Sequence, residues 1–489
     1  DDGHHVRRAS RYVHRAEQAA QHQHRDRKRH RRHERGGDEQ AVGRQVGEHH
    51  RAHQADACRQ PGGDEARGGA ERARHEQQRA GSADGQVETT EQPQRQHRLH
   101  HEPAPERIPS DCPWTGDCGG CTFRHCAYPA QLRFKKEVLV ESLHGVAGAQ
   151  ELVRDVVPAE QTQDYRNKMV FSFGTTMEGE LRLGLHRRGS FMHILPADGC
   201  RLQSAGSREI VRRVLALAKQ LNVPAFHEIK KTPGLRTLTI REARGTNQRM
   251  VELVTTTAYP GLAEHLLAIL EDLADVIYFS IDTNIYGSAR PEKRTVLKGS
   301  GHVEELLNGL RFRIGPDTFF QSNTAQAEKL FARLRELATL HGRPGVALDL
   351  FAGTGPIALH LASVADRVVA VESWEPSVLA ARENLALNEI QNVDVLAADV
   401  NAALPEGLPD KVDLVVVDPP RPGLSPEAIA WIAAREPGAI LYVSCNPSTL
   451  ARDLKLFLQA PYRIEAVEPF DLFPHTFHLE TLVLLRRQA

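Results

Sequence analysis

Apolar and polar positions follow three different textures along this chain, and each predicts a different structure. Over residues 346–485 short apolar runs recur: VALDL at 346–350, RVVAV at 367–371, 393–397, DLVVV at 413–417 and ILYVS at 440–444. Such runs, bounded by turn residues, suit strands buried on both faces of a parallel sheet. The spacing between them predicts helices over 356–364 and 376–388, and a further one over 324–340 ahead of the first run. A terminal hairpin is expected from 462–472 and 480–485, joined through PHTFHL. Strands alternating with helices in this way predict an α/β unit over 310–489. Residues 151–286 differ. Strand patterns there (KMVFSFG, LRLGLHRRG, FMHILPAD, LRTLTIREA, RMVELVTT, DVIYFSIDT) outnumber the helices expected over 207–221 and about 260–273. With an amphipathic helix over 131–144, this gives a central α+β unit spanning 108–309. The third texture fills 1–107, which has no Leu before Leu99 and no Ile, Phe, Met or Trp over residues 1–101. Such a segment cannot bury enough apolar surface to offset its ordering entropy, so it is expected to be disordered.

The formal net charge of -1 averages over this unevenness. Basic runs such as RDRKRHRRHER at 25–35 suit phosphates. The chain opens with Asp, however, and the Arg/His/Gln/Gly mixture resembles GC-rich DNA translated out of frame. An inert or mistranslated tail is therefore preferred to an RNA-binding arm. No signal-peptide pattern is seen, and no apolar run reaches the ~18–20 residues of a membrane span. Seven unevenly clustered cysteines do not form a secreted disulfide framework, so a reducing cytoplasm is expected.

Three of those cysteines, Cys112, Cys118 and Cys121, fall as C-x5-C-G-G-C, with Cys126 close behind and Cys200 far downstream in ADGCRL. Gly119 and Gly120 are expected to let the backbone curl so that two thiolates face one centre. Three near thiols and one distant one suit Cys₄ ligation of an iron–sulfur cluster, or a structural zinc. Spacing alone leaves the metal open, and leaves Cys126 competing with Cys200 as fourth ligand. Nearby, Arg166, Lys168, Arg182, Arg187 and Arg188 interleave with Tyr165, Phe171 and Phe173. Charge for phosphates beside rings for bases suits single-stranded RNA.

Candidate chemistry concentrates at the ends of the late apolar runs. FAGTG at 351–355 is a Gly-x-Gly turn between strand and helix, with Pro356 at the helix's first position. The next strand ends in Glu372, where an adenosine cofactor's ribose hydroxyls are gripped in such units. Asp399 follows the third strand, suited to an adenine amino group. The turn lacks the third glycine that a dinucleotide pyrophosphate uses. A sulfonium cofactor needs no phosphate cradle, which favours S-adenosylmethionine over NAD. The fourth strand ends in Asp418-Pro419-Pro420-Arg421, and the fifth delivers Cys445 into Asn446-Pro447. A lone cysteine there is more often a core hydrophobe than a nucleophile. Its company alters that balance.

That company (the cysteine cluster, FFQSN, DLFAGTG, DPPRPG, SCNPSTLARDL and FPHTFHLETLVLL) resembles the RNA uracil-5-methyltransferase family from about residue 112 onward. The resemblance implies a Rossmann-like class I methyltransferase domain with a seven-stranded, mostly parallel, doubly wound sheet. It implies methyl transfer from S-adenosylmethionine to uracil C5, with Cys445 as nucleophile and Glu480 as base. Gln321, Phe351, Glu372 and Asp418 fall on cofactor positions, beside Gly353 and Gly355 of the turn and Asp399. Asp418 is also a candidate for orienting uracil. Cys112, Cys118, Cys121 and Cys200 match the members that carry a 4Fe–4S cluster, which is preferred to zinc. Those members mostly resemble ribosomal enzymes, so rRNA is favoured over tRNA, and a monomer is expected. Phe351 and Pro356 stand where the family commonly has Tyr and Asn, and the small N-terminal β-barrel of many members has no counterpart pattern in 1–107. Cys445 requires a polar site to lower its pKa, yet no obvious cation is visible for it. Two other readings remain: a nucleic-acid amino-group methyltransferase using the Asp-Pro-Pro loop, and a non-catalytic, metal-bearing RNA-binding protein.

Overall fold

The computed structural model describes residues 104–488, apart from 285, 287–290 and 403–406. Expectations for 1–103 lie outside the described residues. Helix α1 (Tyr128–Ser142) precedes a first sheet of β1 (Lys168–Thr175), β2 (Leu181–His186), β3 (Ile194–Pro196), β4 (Leu235–Ala243), β5 (Gln248–Thr255), β6 (Val276–Ile281) and β7 (Lys293–Lys298). Its strand order is β3-β2-β1-β4-β5-β6-β7, antiparallel except for the β5–β6 pair. Helices α2 (Ala205–Gln220) and α3 (Leu262–Leu270) cover one face, with Ile210, Val214, Leu217 and Leu266 meeting Phe171, Leu238 and Val251.

A hairpin, β8 (Val303–Leu307) and β9 (Leu310–Ile314), turns at Asn308-Gly309. Both turn residues have positive φ, 50° and 81°, as a tight primed turn requires. The C-terminal half then runs α4 (Thr324–Ala338), β10 (Val346–Leu350), α5 (Pro356–Ala362), β11 (Arg367–Glu372), α6 (Glu375–Leu387) and β12 (Val393–Ala397). It continues with β13 (Leu414–Val417), α7 (Pro426–Ala434), β14 (Ala439–Ser444), α8 (Pro447–Phe457), β15 (Tyr462–Phe470) and β16 (Glu480–Arg487). These strands form a doubly wound sheet in the order β12-β11-β10-β13-β14-β16-β15, parallel from β12 to β14. Only β16 and β15 run antiparallel to their neighbours.

The apolar runs are explained by burial on both faces. Along β10, β11 and β13, Ala347, Val368, Ala370, Leu414 and Val416 pack under α4 and α5. The alternate residues, Leu348, Leu350, Val369, Val371, Val415 and Val417, pack under α7, α8 and α1. Helices α7 and α8 went unpredicted because Ser425-Pro426 and Asn446-Pro447 resemble strand-ending punctuation. Here Ser425 and Asn446 are N-caps, and each proline is the first helical residue. Strand β7 (KRTVLK) went unpredicted because an edge strand with charged, exposed positions carries little apolar signal.

Helix α1 follows the cysteine-rich segment in sequence but packs against the C-terminal sheet, through Leu139 and Leu143. Lys135 on this helix reaches Asp471, just past β15, at 2.5 Å, with both side chains fully buried. The Phe473 carbonyl and Tyr128 hydroxyl complete the contact, the first accepting from Lys135 (3.1 Å), the second donating to Asp471 (2.9 Å). Burial pulls the Lys135 pKa down, and the Asp471 charge opposes that pull. Lys135→Met leaves a buried carboxylate without its cation, which should cost about 3–5 kcal/mol in urea unfolding. A loss below about 1 kcal/mol, typical of surface pairs, would show that the pair does not hold α1 in place.

Candidate active site

One edge of the C-terminal sheet gathers the ends of six strands, which is where open α/β sheets carry their chemistry. Strand β10 leads into Phe351-Ala352-Gly353-Thr354-Gly355. Phe351 has φ 69°, and its N–H and that of Ala352 both donate to the Val371 carbonyl (3.0 Å). Gly355, φ 88°, closes the turn onto α5, where a Cβ would meet Leu359 Cδ1 at 2.9 Å. Gly353 faces open space. Glu372, at the end of β11, accepts the Gly353 N–H (2.9 Å) and the Trp374 N–H (2.7 Å). The acid therefore shapes the turn from below, and each oxygen keeps a lone pair for a ligand hydroxyl. Asp399 stands exposed past β12, accepting the Asn401 N–H at 2.9 Å. Gln321 is buried ahead of α4, its carbonyl accepting from Asn167 Nδ2 (2.9 Å).

Sequence reasoning gave Asp349 no role, although it lies fully buried beneath the turn. Neither oxygen has a well-formed hydrogen bond, and burial pushes its carboxyl up to about 8 against a partial offset from the Ala358 N–H. An acid in a core strand was visible; its depth was not.

The second half of the edge brings four groups together. Strands β14 and β16 pair antiparallel up to Ser444 opposite Thr481, so Cys445 and Glu480 flank the last pair, and the Glu480 charge acts on the thiol. Asp418, following β13, and Arg421 act electrostatically on Glu480, and all three act on Cys445. Asp418 keeps some accessible surface although protein surrounds it densely, as at the floor of a cleft, and burial lifts it to about 7. Burial, then the Asp418 charge, raise Glu480 well above the carboxylate range, while Arg421 opposes them. Cys445 is pushed up to about 12, first by burial, then by Glu480 and Asp418. The expected lowering of its pKa is therefore not what this protein-only site gives. The cation thought missing is Arg421, which acts against the rise. Its signal was present in DPPRPG.

The Asp-Pro-Pro-Arg loop is held from below. Asn446 Nδ2 and Thr449 Oγ1 both donate to the Arg421 carbonyl (3.2 Å each). Buried Asp453 accepts from the Tyr442 hydroxyl (2.7 Å) and the Leu424 N–H (2.8 Å). On its outer side Arg421 Nη2 lies 3.3 and 3.4 Å from the two ring nitrogens of His478. Near-equal distances to both put the guanidinium over the ring rather than on one lone pair.

Far from this edge in sequence, Cys112, Cys118, Cys121 and Cys200 line one cavity of about 220 Å³ with Arg124 and Arg201 at its wall. Cys126 does not line it and is buried elsewhere. Gly119 and Gly120 lie in the segment that carries Cys118 and Cys121 to that cavity, without positive φ. They allow close approach: a Cβ would come within 3.3 Å of the His186 carbonyl oxygen and of Leu185 Cδ1, respectively. Burial raises the Cys118, Cys121 and Cys200 thiols, Cys121 to about 12, and the neighbouring thiols add to each rise. Among the described residues no three ligand-type side chains already stand as a single-ion site. The donor set, four thiols around one cavity beside guanidinium groups, nonetheless fits a bound group that supplies positive charge. None of the described helices is long and apolar enough to cross a membrane.

A tRNA (uracil-5-)-methyltransferase family model matches residues 249–404 and 409–488. An RNA methyltransferase of Caldanaerobacter subterraneus is 36% identical over 79% of this chain and 86% of that relative. One from Thermotoga maritima is also 36% identical, over 78% and 85%. Among solved structures, the Pyrococcus abyssi tRNA (uracil-54, C5)-methyltransferase in complex with S-adenosyl-L-homocysteine is similar at TM-score 0.64 and 29% identity. That likeness covers 78% of this chain and 86% of that one. The chain belongs to the RNA uracil-5-methyltransferase family, enzymes that methylate RNA with S-adenosylmethionine. Membership sets aside the non-catalytic reading.

Glu372→Gln keeps one acceptor and loses the other, loosening the Gly353 turn. Charged hydrogen bonds contribute about 1.5–3 kcal/mol, so S-adenosylmethionine affinity should fall at least about tenfold by calorimetry. Unchanged affinity would remove Glu372 from the cofactor site.

Proposed function

We propose that this enzyme makes 5-methyluridine in RNA through a covalent adduct between Cys445 and uracil C6. The observation carrying this reading is that Cys445 and Glu480 flank the last β14–β16 pair, each in the field of Asp418 and Arg421. Uracil C5 alone is a poor carbon nucleophile. Cys445 reacts as the thiolate, its proton given up to solvent; as Sγ bonds to C6, the C5=C6 electron pair shifts toward C5 and O4. C5 then has the electron density to accept a methyl group. Glu480 takes the C5 proton, the C5=C6 bond re-forms, and the S–C6 bond breaks with its electron pair on sulfur, returning the thiolate. Asp418 orients uracil from the cleft floor, and Arg421 opposes the build-up of negative charge among the acids. S-adenosylmethionine, when bound, supplies the methyl group on a positively charged sulfonium.

Gln321, Phe351, Gly353, Gly355, Glu372, Asp399 and Asp418 are proposed to hold that cofactor. Cys112, Cys118, Cys121 and Cys200 are proposed to ligate a 4Fe–4S cluster in preference to zinc, supported by the cavity they share and by Cys126 lying outside it. Nothing in the methyl transfer consumes electrons, so the group's role is structural or RNA-positioning. The 108–309 unit is proposed to bind the RNA, with Lys168, Arg182, Arg187 and Arg188 for phosphates. Ribosomal RNA is preferred on the cysteine set's resemblance, although the Pyrococcus neighbour acts on tRNA. A cytoplasmic monomer is the expected form.

Cys445→Ala should abolish methyl transfer while retaining cofactor binding. Glu480→Gln should transfer the methyl group once and then accumulate the protein–RNA adduct on denaturing gels. Intact turnover by Cys445→Ala would favour amino-group methylation instead.

The pH dependence has a definite sign. Cys445 is an acid whose pKa lies far above neutral, so its thiolate fraction grows about tenfold per pH unit below that value. Single-turnover adduct formation should therefore climb steadily from pH 7 to pH 9. A plateau below pH 7 would mean the thiol is already ionised at rest.

A further inference from the structure

The loop between β15 and β16, residues 471–479, forms one wall of the candidate active site. It ends at Glu480, which pairs with Phe470 across the hairpin, and it carries His478 against Arg421. Its grip, however, comes from the other end of the chain. The N–H groups of Thr122 and Phe123, directly after Cys121, both donate to the His475 carbonyl (2.8 and 2.9 Å). Fully buried Gln131 on α1 brackets the same residue. Its Oε1 accepts the His475 N–H (2.8 Å), and its Nε2 lies 3.2 Å from His475 Nδ1 while donating to the Cys126 carbonyl (2.9 Å). Lys135 holds Asp471 one turn further along α1.

These contacts do not serve the hairpin itself, which already has eight register pairs between β15 and β16. They fix where the loop sits over the strand ends. We propose that Gln131 and Lys135 are positioning residues for the reaction, and that the cysteine-rich segment serves as the fixed anchor of the active-site wall bearing His478 and Glu480. The proposal rests on the covalent mechanism above. It assigns the thiol cavity a mechanical part in catalysis: the backbone that its ligands order is the backbone that clamps His475. Misplacement by about 1 Å from a site remote from the chemistry can cost about 10²-fold, so the lever is long enough to matter.

The proposal separates proton removal from addition. Displacing the 471–480 wall withdraws Glu480 and His478 but leaves Cys445 in place at the end of β14. Gln131→Leu should therefore still form the adduct with ordinary uridine RNA and release it slowly, so that adduct stable on denaturing gels rises well above wild type as turnover falls. A variant that is merely less stable would lose adduct and turnover together at its melting temperature. If Gln131→Leu does not fold, Gln131→Asn, one methylene short, is read in the same way. Independently, hydrogen exchange of the wild-type chain with its metal group removed should quicken at 471–480 and not at β10 or β11. Release as fast as wild type in the folded variant, or unaltered exchange at 471–480, overturns the proposal. If wild type itself fails to trap 5-fluorouridine RNA, the covalent mechanism falls first. If it traps and Gln131→Leu turns over normally, only the clamp falls.

Discussion

The antiparallel pairing of β16 with β14 is the constraint on which the rest depends. In a parallel sheet every strand brings its carboxyl end to one edge, whereas a reversed strand brings its amino end there. Strand β16 does this: with Ser444 opposite Thr481, Glu480 at its start stands near Cys445 just past β14 and acts on that thiol. A one-residue slip in that register would send every side chain of β16 to the other face. Leu482 and Leu484 on one face and Val483 and Leu485 on the other oppose such a slip, since both sets lie in packed cores.

Burial then decides the chemistry that this pairing permits. Cys445, Glu480 and Asp418 all have pKa values above their usual ranges, with desolvation the largest cause for each. Three acids in one another's field cannot all ionise beside a single arginine. Burial and the neighbouring carboxylates therefore favour the protonated Cys445 thiol, against Arg421. At the distant cavity, too, burial is the largest cause that raises the Cys118, Cys121 and Cys200 thiols, and neighbouring thiols add to it.

The sheet was legible in the sequence because strands buried on both faces leave unbroken apolar runs, as VALDL and DLVVV do. The glycine turn and its terminal acid were legible because their residue types answer to backbone geometry. What escaped was whatever depends on contacts across the chain. Arg421 could be read as an oddity after two prolines, but its field on Cys445 and Glu480 exists only once three strand ends meet. Asp349 looked like one acid in a strand, and only the packed fold makes it deeply buried. The anchoring of α1 was least legible of all, since Lys135 and Asp471 are separated by 336 positions and neither stands in a recognisable motif. Gly119 and Gly120 were legible as a place where the backbone comes close, but what it approaches, the His186 carbonyl and Leu185, lies far along the chain.

The most direct measurement is peptide mapping of the complex formed with 5-fluorouridine RNA and S-adenosylmethionine. Fluorine at C5 cannot be removed as a proton, so the adduct is trapped after methyl transfer. The account predicts that digestion yields one nucleotide-bearing peptide, containing Cys445, with the methyl group on the attached base. A trapped base on any other residue, or methylated RNA released with no trapped peptide, would contradict it.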